Sequence, residues 1–355
     1  MKKFNAVTAR KVVGLDLGDR YSHLVVLEGK SGEVIETGRV RTTPAALGDC
    51  FGSRKILRIV IEVGTHSPWV ERLLSAAGHE VLVANPRKVR LISHNHRKSD
   101  STDAEYLARL GRLDPRLLSP VEHRDVDAQA DLARLRSRHT LVRARTQLIN
   151  HVRGAVKSAG ARIPTCNANV FGSRAEASIP EAFGPALLPI LAVITRLTDD
   201  IRGAEKDLEE LIRTKRPEAQ LLLQVDGVGI ITALTYLFVV QRPQRFANSR
   251  TVGAYLGLVP ARHASGASDP QRRISKEGDE KLRQLLVGCA QHILGPFGRD
   301  SDLRRFGERI ASRGGKIGKK RAVVAVARKL SVLLHRLWLH GEVYQPLYSE
   351  KQVTP

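Results

Sequence analysis

A carboxylate set in the middle of an apolar run constrains this chain more than any other feature. Val12-Val13-Gly14-Leu15-Asp16-Leu17-Gly18 reads as a buried strand, and an unpaired acid inside such a run is costly. Two readings account for Asp16. It closes the strand and caps a turn at Gly18-Asp19, or it holds a metal ion at the surface of a sheet.

The residues that follow build a sheet around this strand. Tyr21 to Glu28 and Glu33 to Val40 read as two further strands, joined by a hairpin turn at Gly29-Lys30-Ser31-Gly32. Three strands of an antiparallel meander therefore open the chain. A short helix (Pro44 to Phe51), a fourth strand (Leu57 to Val63), a helix (Pro68 to Ala77) and a fifth strand (Glu80 to Ala84) follow. Alternation with helices predicts that the later strands run parallel.

The fourth strand repeats the anomaly of the first, because Ile59-Val60-Ile61-Glu62-Val63-Gly64 also carries an acid in an apolar run. A helix then starts near Lys98-Ser99-Asp100-Ser101-Thr102-Asp103, with Asp100 and Asp103 on one face. Their ordinary reading is N-terminal capping, with Asp100 or Thr102 as the cap and Asp103 favoured by the helix dipole. As a set, Asp16, Glu62, Asp100 and Asp103 on a three-strand meander plus two parallel strands resemble the RNase H-like nuclease fold in its RuvC-type branch. That resemblance implies two divalent ions about 3.5–4 Å apart, suited to phosphodiester chemistry. Hard oxygen ligands favour Mg²⁺ or Mn²⁺ over zinc. The basic loop His94-Asn95-His96-Arg97-Lys98 is expected beside the acids, with Arg97 and Lys98 toward a phosphate backbone.

Charge points to the same class of partner. The 355 residues hold 58 Lys and Arg against 36 Asp and Glu, a formal charge of +22 spread over the whole chain. Such an excess predicts a polyanion, nucleic acid first and an acidic membrane surface second. Aromatic residues are only 5%, which argues against base stacking as the main binding mode and for phosphate contacts by Arg and Lys. Three scattered cysteines exclude a disulfide framework and a zinc knuckle, as expected of a reducing cytoplasm. Neither a signal peptide nor a run near the roughly 20 apolar residues of a membrane span is read in the chain.

From about Val126 the strand signal stops. Asp131 to Val156 reads as a basic helix, and Ile163 to Pro180 as a loop or linker. Leu187, Ile190, Ile194, Leu197, Ile201, Ala204, Leu208 and Leu211 form a heptad seam, which closes an intramolecular hairpin or pairs subunits. Asp226-Gly227-Val228-Gly229 precedes an apolar helix, either as a tight turn or as amides offered to a phosphate. Gly257-Leu258-Val259-Pro260 leads into Ala264-Ser265-Gly266, and the basic stretch Arg272-Arg273-Ile274-Ser275-Lys276-Glu277-Gly278-Asp279 follows. Arg272, Arg273 and Lys276, with Lys319, Lys320 and Arg321 at the start of the last long helix, are candidate nucleic-acid contacts.

These elements together resemble the DEDD transposases of the insertion-sequence-110 family, which include site-specific recombinases. The match rests on Asp, Glu and Asp-x-x-Asp, then a coiled coil, then Gly-Leu-x-Pro, Ser-Gly and Ile-Ser-Lys-x-Gly-Asp elements. The family often shows two serines before the glycine, where this chain has Ala264-Ser265; Ser268 is the fallback. The resemblance implies three regions: a RuvC-like DEDD metal-binding domain over 1–125, a helical coiled-coil region with linker over 126–218, and a helical serine-containing domain over 219–355. It further implies catalytic Asp16, Glu62, Asp100, Asp103 and Ser265, with the acids holding Mg²⁺ (or Mn²⁺). The implied activity is recombination of double-stranded DNA through a phosphoserine intermediate. A homo-oligomer with a composite active site, a structured guide RNA in some members, and a place at the nucleoid complete the picture. The alternative is a RuvC-like metal-dependent nuclease or junction resolvase in which Ser265 takes no part. An actin-like phosphotransferase would need a second Asp-x-Gly loop leading a strand meander. A tyrosine recombinase would need its His-x-x-Arg near Tyr344 or Tyr348.

Overall fold

Alternation along the first strand decides which side of the sheet carries the chemistry. In the computed structural model, which describes residues 11–86, 99–261 and 272–348, β1 (Lys11–Asp16) points Val13 and Leu15 to one face and Val12, Gly14 and Asp16 to the other. β2 (Tyr21–Glu28) and β3 (Val34–Arg41) continue antiparallel, and β4 (Arg58–Glu62) and β5 (Glu80–Ala84) add in parallel on the other side of β1. The sheet order is β3-β2-β1-β4-β5, a mixed five-stranded sheet consistent with an RNase H-like domain.

Each face is covered by its own helices. Under α1 (Pro44–Phe51) and α2 (Ser67–Ala76) lie Val13, Leu15, Ile59 and Ile61, in one core with Phe51 and Leu74 of those helices. On the other face α3 (Asp100–Leu113) packs over Val12, Val60 and Leu82 through Leu107, and over Val25 and Leu27 through Ala104 and Ala108. Close approach requires small residues on both sides. A Cβ at Gly14 would lie 1.8 Å from the Ala104 carbonyl oxygen, and one at Gly111 would lie 2.3 Å from Val60 Cγ2. Arg58 sits on this face, fully buried, with its guanidinium on Glu80 at 2.8 Å and on the Gly111 carbonyl at 3.2 Å. A charge so placed needs such partners.

Residues 1–125 form one compact unit and residues 126–355 a second, mainly helical one. In the second, α4 (Val126–Ser158) and α6 (Gly184–Thr214) pack on each other, joined by the Arg138–Glu205 ion pair, while Asp131 of α4 pairs with Arg216 just beyond α6. The buried stripe of α6 includes Leu191 and Thr198, while Ile190 and Leu197 of the expected seam are only half-buried. Thr198 goes inward because its hydroxyl, bonded to the Ile194 carbonyl, accepts a hydrogen bond from the buried Arg145.

The expected linker also holds more structure than its Pro, Ser and Asn content predicts. Within it α5 (Phe171–Glu176) buries Phe171 and Ala175 against Ile149, Val152 and Leu187. Gly172 lets it close to within a hydroxyl of α6, since a Cβ there would lie 2.3 Å from Thr195 Oγ1.

Beyond α7 (Ala219–Leu223), α8 (Ile230–Val240) is buried all round and forms the centre of the largest core. Around it lie α9 (Arg250–Tyr255), α10 (Glu280–Leu294), α11 (Asp302–Ala311) and α12 (Gly315–His340). Contrary to the expectation of no membrane-length run, the stretch Glu181–Thr214 is long and apolar enough to cross a membrane by length and composition. Its buried side chains pack against α4 and the core around α8.

Candidate active site and its serine loop

Strand register brings the first two acids side by side. Leu15 pairs with Ile61 in the parallel β1–β4 ladder, so the next residues, Asp16 and Glu62, end neighbouring strands at the same edge. Period-two alternation sends both toward the α3 face, alongside Gly14 and Val60. The remaining two acids arrive from above. α3 runs against β1: its C-terminal Arg112 donates to the Lys30 carbonyl in the β2–β3 hairpin, while its N-terminus lies at the Asp16 end. Asp100 and Asp103 thus occupy the first turn of α3, over the edge where Asp16 and Glu62 emerge.

The cap of that helix is Ser99, not Asp100 or Thr102. Its hydroxyl accepts from the Thr102 amide at 3.2 Å. Asp100 instead faces His23, with Nε2 3.5 Å from Oδ2. His23 is the cross-strand partner of Asp16 on β2 and shares its face, so it stands between the first and third acids. Sequence reading missed it, because only the β1–β2 register distinguishes it from any other strand histidine. A second histidine, His66, lies just beyond β4. Trp69 Nε1 donates to its Nδ1 at 3.1 Å, and its Nε2 lies 3.6 Å from Asp19.

Ser265, with Ser268 and His263, lies outside the described residues, as do His94, His96, Arg97 and Lys98. The segments on either side of the serine loop meet each other. Ala261 N donates to Arg273 O and Ser275 N to Val259 O, both at 2.9 Å, so the Gly-Leu-x-Pro and Ile-Ser-Lys elements form a short antiparallel ladder. Two left-handed glycines make its closure feasible. Gly257 (φ +66°) would place a Cβ 2.3 Å from Glu277 N, and Gly278 (φ +74°) one 2.2 Å from Tyr255 O. Arg283 gathers the Leu256, Glu277 and Asp279 carbonyls, and Asp279 caps α10 by accepting from Leu282 N at 2.8 Å.

Two family models match the chain in the same order as these features. A transposase model of the IS110 DEDD type covers residues 13–160, and one described as the transposase IS116/IS110/IS902 family covers residues 219–304. The chain belongs to the IS110 family of transposases. It is 27% identical to the transposase for insertion sequence element IS1111A of Coxiella burnetii, over 94% of this chain and 91% of that one. It is 28% identical to the transposase for IS1328 of Yersinia enterocolitica, over 79% of this chain and 83% of that one. A probable family 20 transposase of Pseudomonas aeruginosa matches at 27%, over 82% and 86%. A transposase acts on DNA, and the DEDD type implies dependence on a divalent metal.

The chain's own donors fit that metal in kind. Asp16, Glu62, Asp100 and Asp103 offer only hard oxygen, the chemistry that suits magnesium or manganese. They share one edge of one face. Among the described residues, however, no three His, Cys, Asp or Glu side chains converge closely enough to hold an ion. Asp100 is exposed and turned to His23.

The predicted nucleic-acid contacts described by the structure are on the surface. Arg272 and Arg273 are exposed on the segment just before the Ile274 bridge, and Lys276 follows in a left-handed conformation at φ +58°. Lys319, Lys320 and Arg321 are exposed near the start of α12, where cations oppose the helix dipole. The Asp226-Gly-Val-Gly turn is tied down internally: Asp226 accepts from the Arg299 amide at 3.1 Å.

Proposed function

We propose that this transposase cuts and rejoins element DNA through a covalent protein–DNA intermediate on Ser265, assisted by the acids at the β1–β4 edge. The observation that carries this reading is the shared face of Asp16, Glu62, Asp100 and Asp103, on a chain whose second family region brackets Ser265 with a ladder.

A divalent ion, Mg²⁺ or Mn²⁺, bound by these acids would neutralise the phosphate and stabilise charge on the oxygen that leaves. The protein's part is to place and to exchange. Ser265 Oγ forms a bond to phosphorus, its proton departs, and the displaced ester oxygen leaves as a free hydroxyl on the cut strand. Reversal, with the hydroxyl of a different strand as nucleophile, restores a phosphodiester and frees the serine. No external energy source is consumed, because one ester is exchanged for another. Arg272, Arg273, Lys276, Lys319, Lys320 and Arg321 would neutralise phosphates on the strands being held, and Arg97 and Lys98 those near the acids. The α4–α6 pair serves as a coiled-coil arm. The working assembly is a dimer or tetramer with a composite site, acting on double-stranded DNA at the nucleoid in the cytoplasm, with an element-encoded RNA as guide.

Incubation with element DNA and Mg²⁺ tests the chemistry. A protein–DNA adduct that survives denaturation is expected. Ser265→Ala should abolish it, and Asp16→Ala should remove or strongly weaken it. Cleavage that persists in Ser265→Ala would replace this reading with the metal-dependent nuclease or resolvase.

A further inference from the structure

Helix α4 carries a charge asymmetry that packing does not explain. From Leu132 to Ser158 there is no Asp or Glu, while Arg134, Arg136, Arg138, Arg143, Arg145, Arg153 and Lys157 supply seven cations. Its partner α6 is the opposite, with six acids against four cations. The arginines of α6 are neutralised locally: Arg196 by Asp200, Arg202 by Asp199, and Arg213 by Glu210. On α4, Arg138 is paired with Glu205 and Arg145 is buried.

What remains forms a line. Arg136, Arg143, Asn150 and Lys157 recur every seven residues on the exposed side, with exposed Thr140 and Gln147 between them. Seven residues are nearly two helical turns, so the line stays on one face, opposite the buried Arg145, Ile149, Val152 and Val156. Among the described residues no ion pair links Arg136, Arg143 or Lys157 to a carboxylate. Positive charge also gathers nearby. His139 holds its proton less readily than usual, first from burial and then from Lys281, Arg143 and Arg138. Lys281 is pushed down by burial and by Arg138 and Arg143.

We infer that the exposed face of α4 is a docking surface for duplex DNA, which it engages through phosphates, without reading bases and independently of the acids and the serine loop. The chemistry fits that partner. Like charges along a helix cost stability unless a polyanion compensates them. Arg136 to Lys157 spans about 32 Å at 1.5 Å per residue, close to one turn of B-DNA. Thr140, Gln147 and Asn150 are the neutral hydrogen-bonding types that contact phosphate and sugar. This surface extends the DNA-binding reading, yet depends on neither Ser265 nor the metal.

The test uses the full chain, without divalent metal so that no strand is cut. Fluorescence anisotropy measures affinity for a mixed-sequence DNA duplex across a salt series. The triple variant Arg136→Gln/Arg143→Gln/Lys157→Gln should bind at least tenfold more weakly at low salt. Its log affinity should fall less steeply with log salt, by about 0.9 for each phosphate that is no longer neutralised. Arg196→Gln/Arg202→Gln/Arg213→Gln removes the same charge from neutralised sites and should change the slope little. Lys157→Gln alone, exposed near the helix end, should flatten the slope by about 0.9 even if the triple variant misfolds. Ser265→Ala should bind like the parent, which separates this inference from the chemistry above. An unchanged slope in the α4 variants, an equal change in both triples, or loss confined to an RNA hairpin probe would overturn it.

Discussion

Gly14 and Ala104 touch backbone to backbone: a β-carbon on Gly14 would stand 1.8 Å from the Ala104 carbonyl oxygen and 2.7 Å from the Ala108 amide. This contact sets the height of α3 above β1. It thereby sets how far Asp100 and Asp103, in the first turn of α3, stand from Asp16 and Glu62 at the strand ends. Gly14→Ala should push the helix off the sheet. Overpacking of this kind costs about 1–3 kcal/mol, and the clash here is with rigid backbone. Thermal unfolding should show a lower Tm, and adduct formation should fall further than the residual folded fraction explains. Gly38→Ala is the comparison, because its β-carbon would meet only Leu24 Cγ at 3.9 Å; equal effects at both positions would refute the argument.

The ladder beside Ser265 makes a separate prediction. Gly257→Ala combines a left-handed φ of +66° with a β-carbon 2.3 Å from Glu277 N and O. The strain of such a residue is on the order of 1–3 kcal/mol. Because the clash falls between the two segments that frame the loop, covalent adduct should drop at least tenfold. Duplex binding by the rest of the chain should be retained. Adduct at parental levels in this variant would detach the ladder from the chemistry.

Asp131 and Arg216 lock the base of the helix pair. Asp131 is nearly inaccessible, and Arg216 Nη2 donates to its Oδ2 at 2.9 Å while the guanidinium lies 5.7 Å over the Phe238 ring. Asp131→Ala strands a partly buried guanidinium and should cost about 3–5 kcal/mol by chemical denaturation. Replacing both residues, as Asp131→Leu with Arg216→Met, should recover most of that loss. A double variant no more stable than the single would show that the pair matters for something other than charge balance.

Stability should also fall in mild acid because of His335. The ring is buried, with Nε2 donating to the Pro243 carbonyl and Nδ1 accepting from Ser249 Oγ, both at 2.9 Å. Burial outweighs the hydrogen bond to Pro243 and holds the imidazole below its ordinary value, with His340 adding to the effect. A depressed pKa means that the unfolded chain takes up the proton first. The contribution is therefore intact above the unfolded-state value, near 6.5, and is lost as pH drops below it toward the folded-state value. Tm measured from about pH 7.5 to about 5 should decline, and His335→Gln should lower Tm at the upper end while flattening that decline. An unaltered pH profile in the variant would assign the acid sensitivity elsewhere.

Much of the sheet is legible residue by residue. Hydrophobic alternation and the Gly-Lys-Ser-Gly turn place β2, α1 and β5 at their observed bounds, because one-face burial and turn chemistry are written into consecutive side chains. Two short helices are not legible. α9 has six residues, and α5 lies in a stretch of loop-like composition; both exist because tertiary contacts bury Val252 and Phe171. The seam of α6 shifts inward at Leu191 and Thr198 for a related reason. Its partner Arg145 needs a hydroxyl, and nothing in the heptad pattern records that need.

The acids themselves are read from local sequence, since a carboxylate inside an apolar strand is anomalous wherever the strand goes. Their grouping on one edge follows from pairing register, which is a property of strands far apart in the chain. So does the place of His23, brought opposite Asp16 by the hairpin and next to Asp100 by the descent of α3. Local sequence by itself determined a basic, α/β-then-helical chain with four marked acids, and its motifs carried the likeness to the IS110 transposases. Only the tertiary structure decided which face the acids occupy, that Ser99 caps their helix, and that α4 turns its unneutralised arginines outward. Those facts depend on burial and on neighbours distant in sequence, and a chain read one window at a time contains neither.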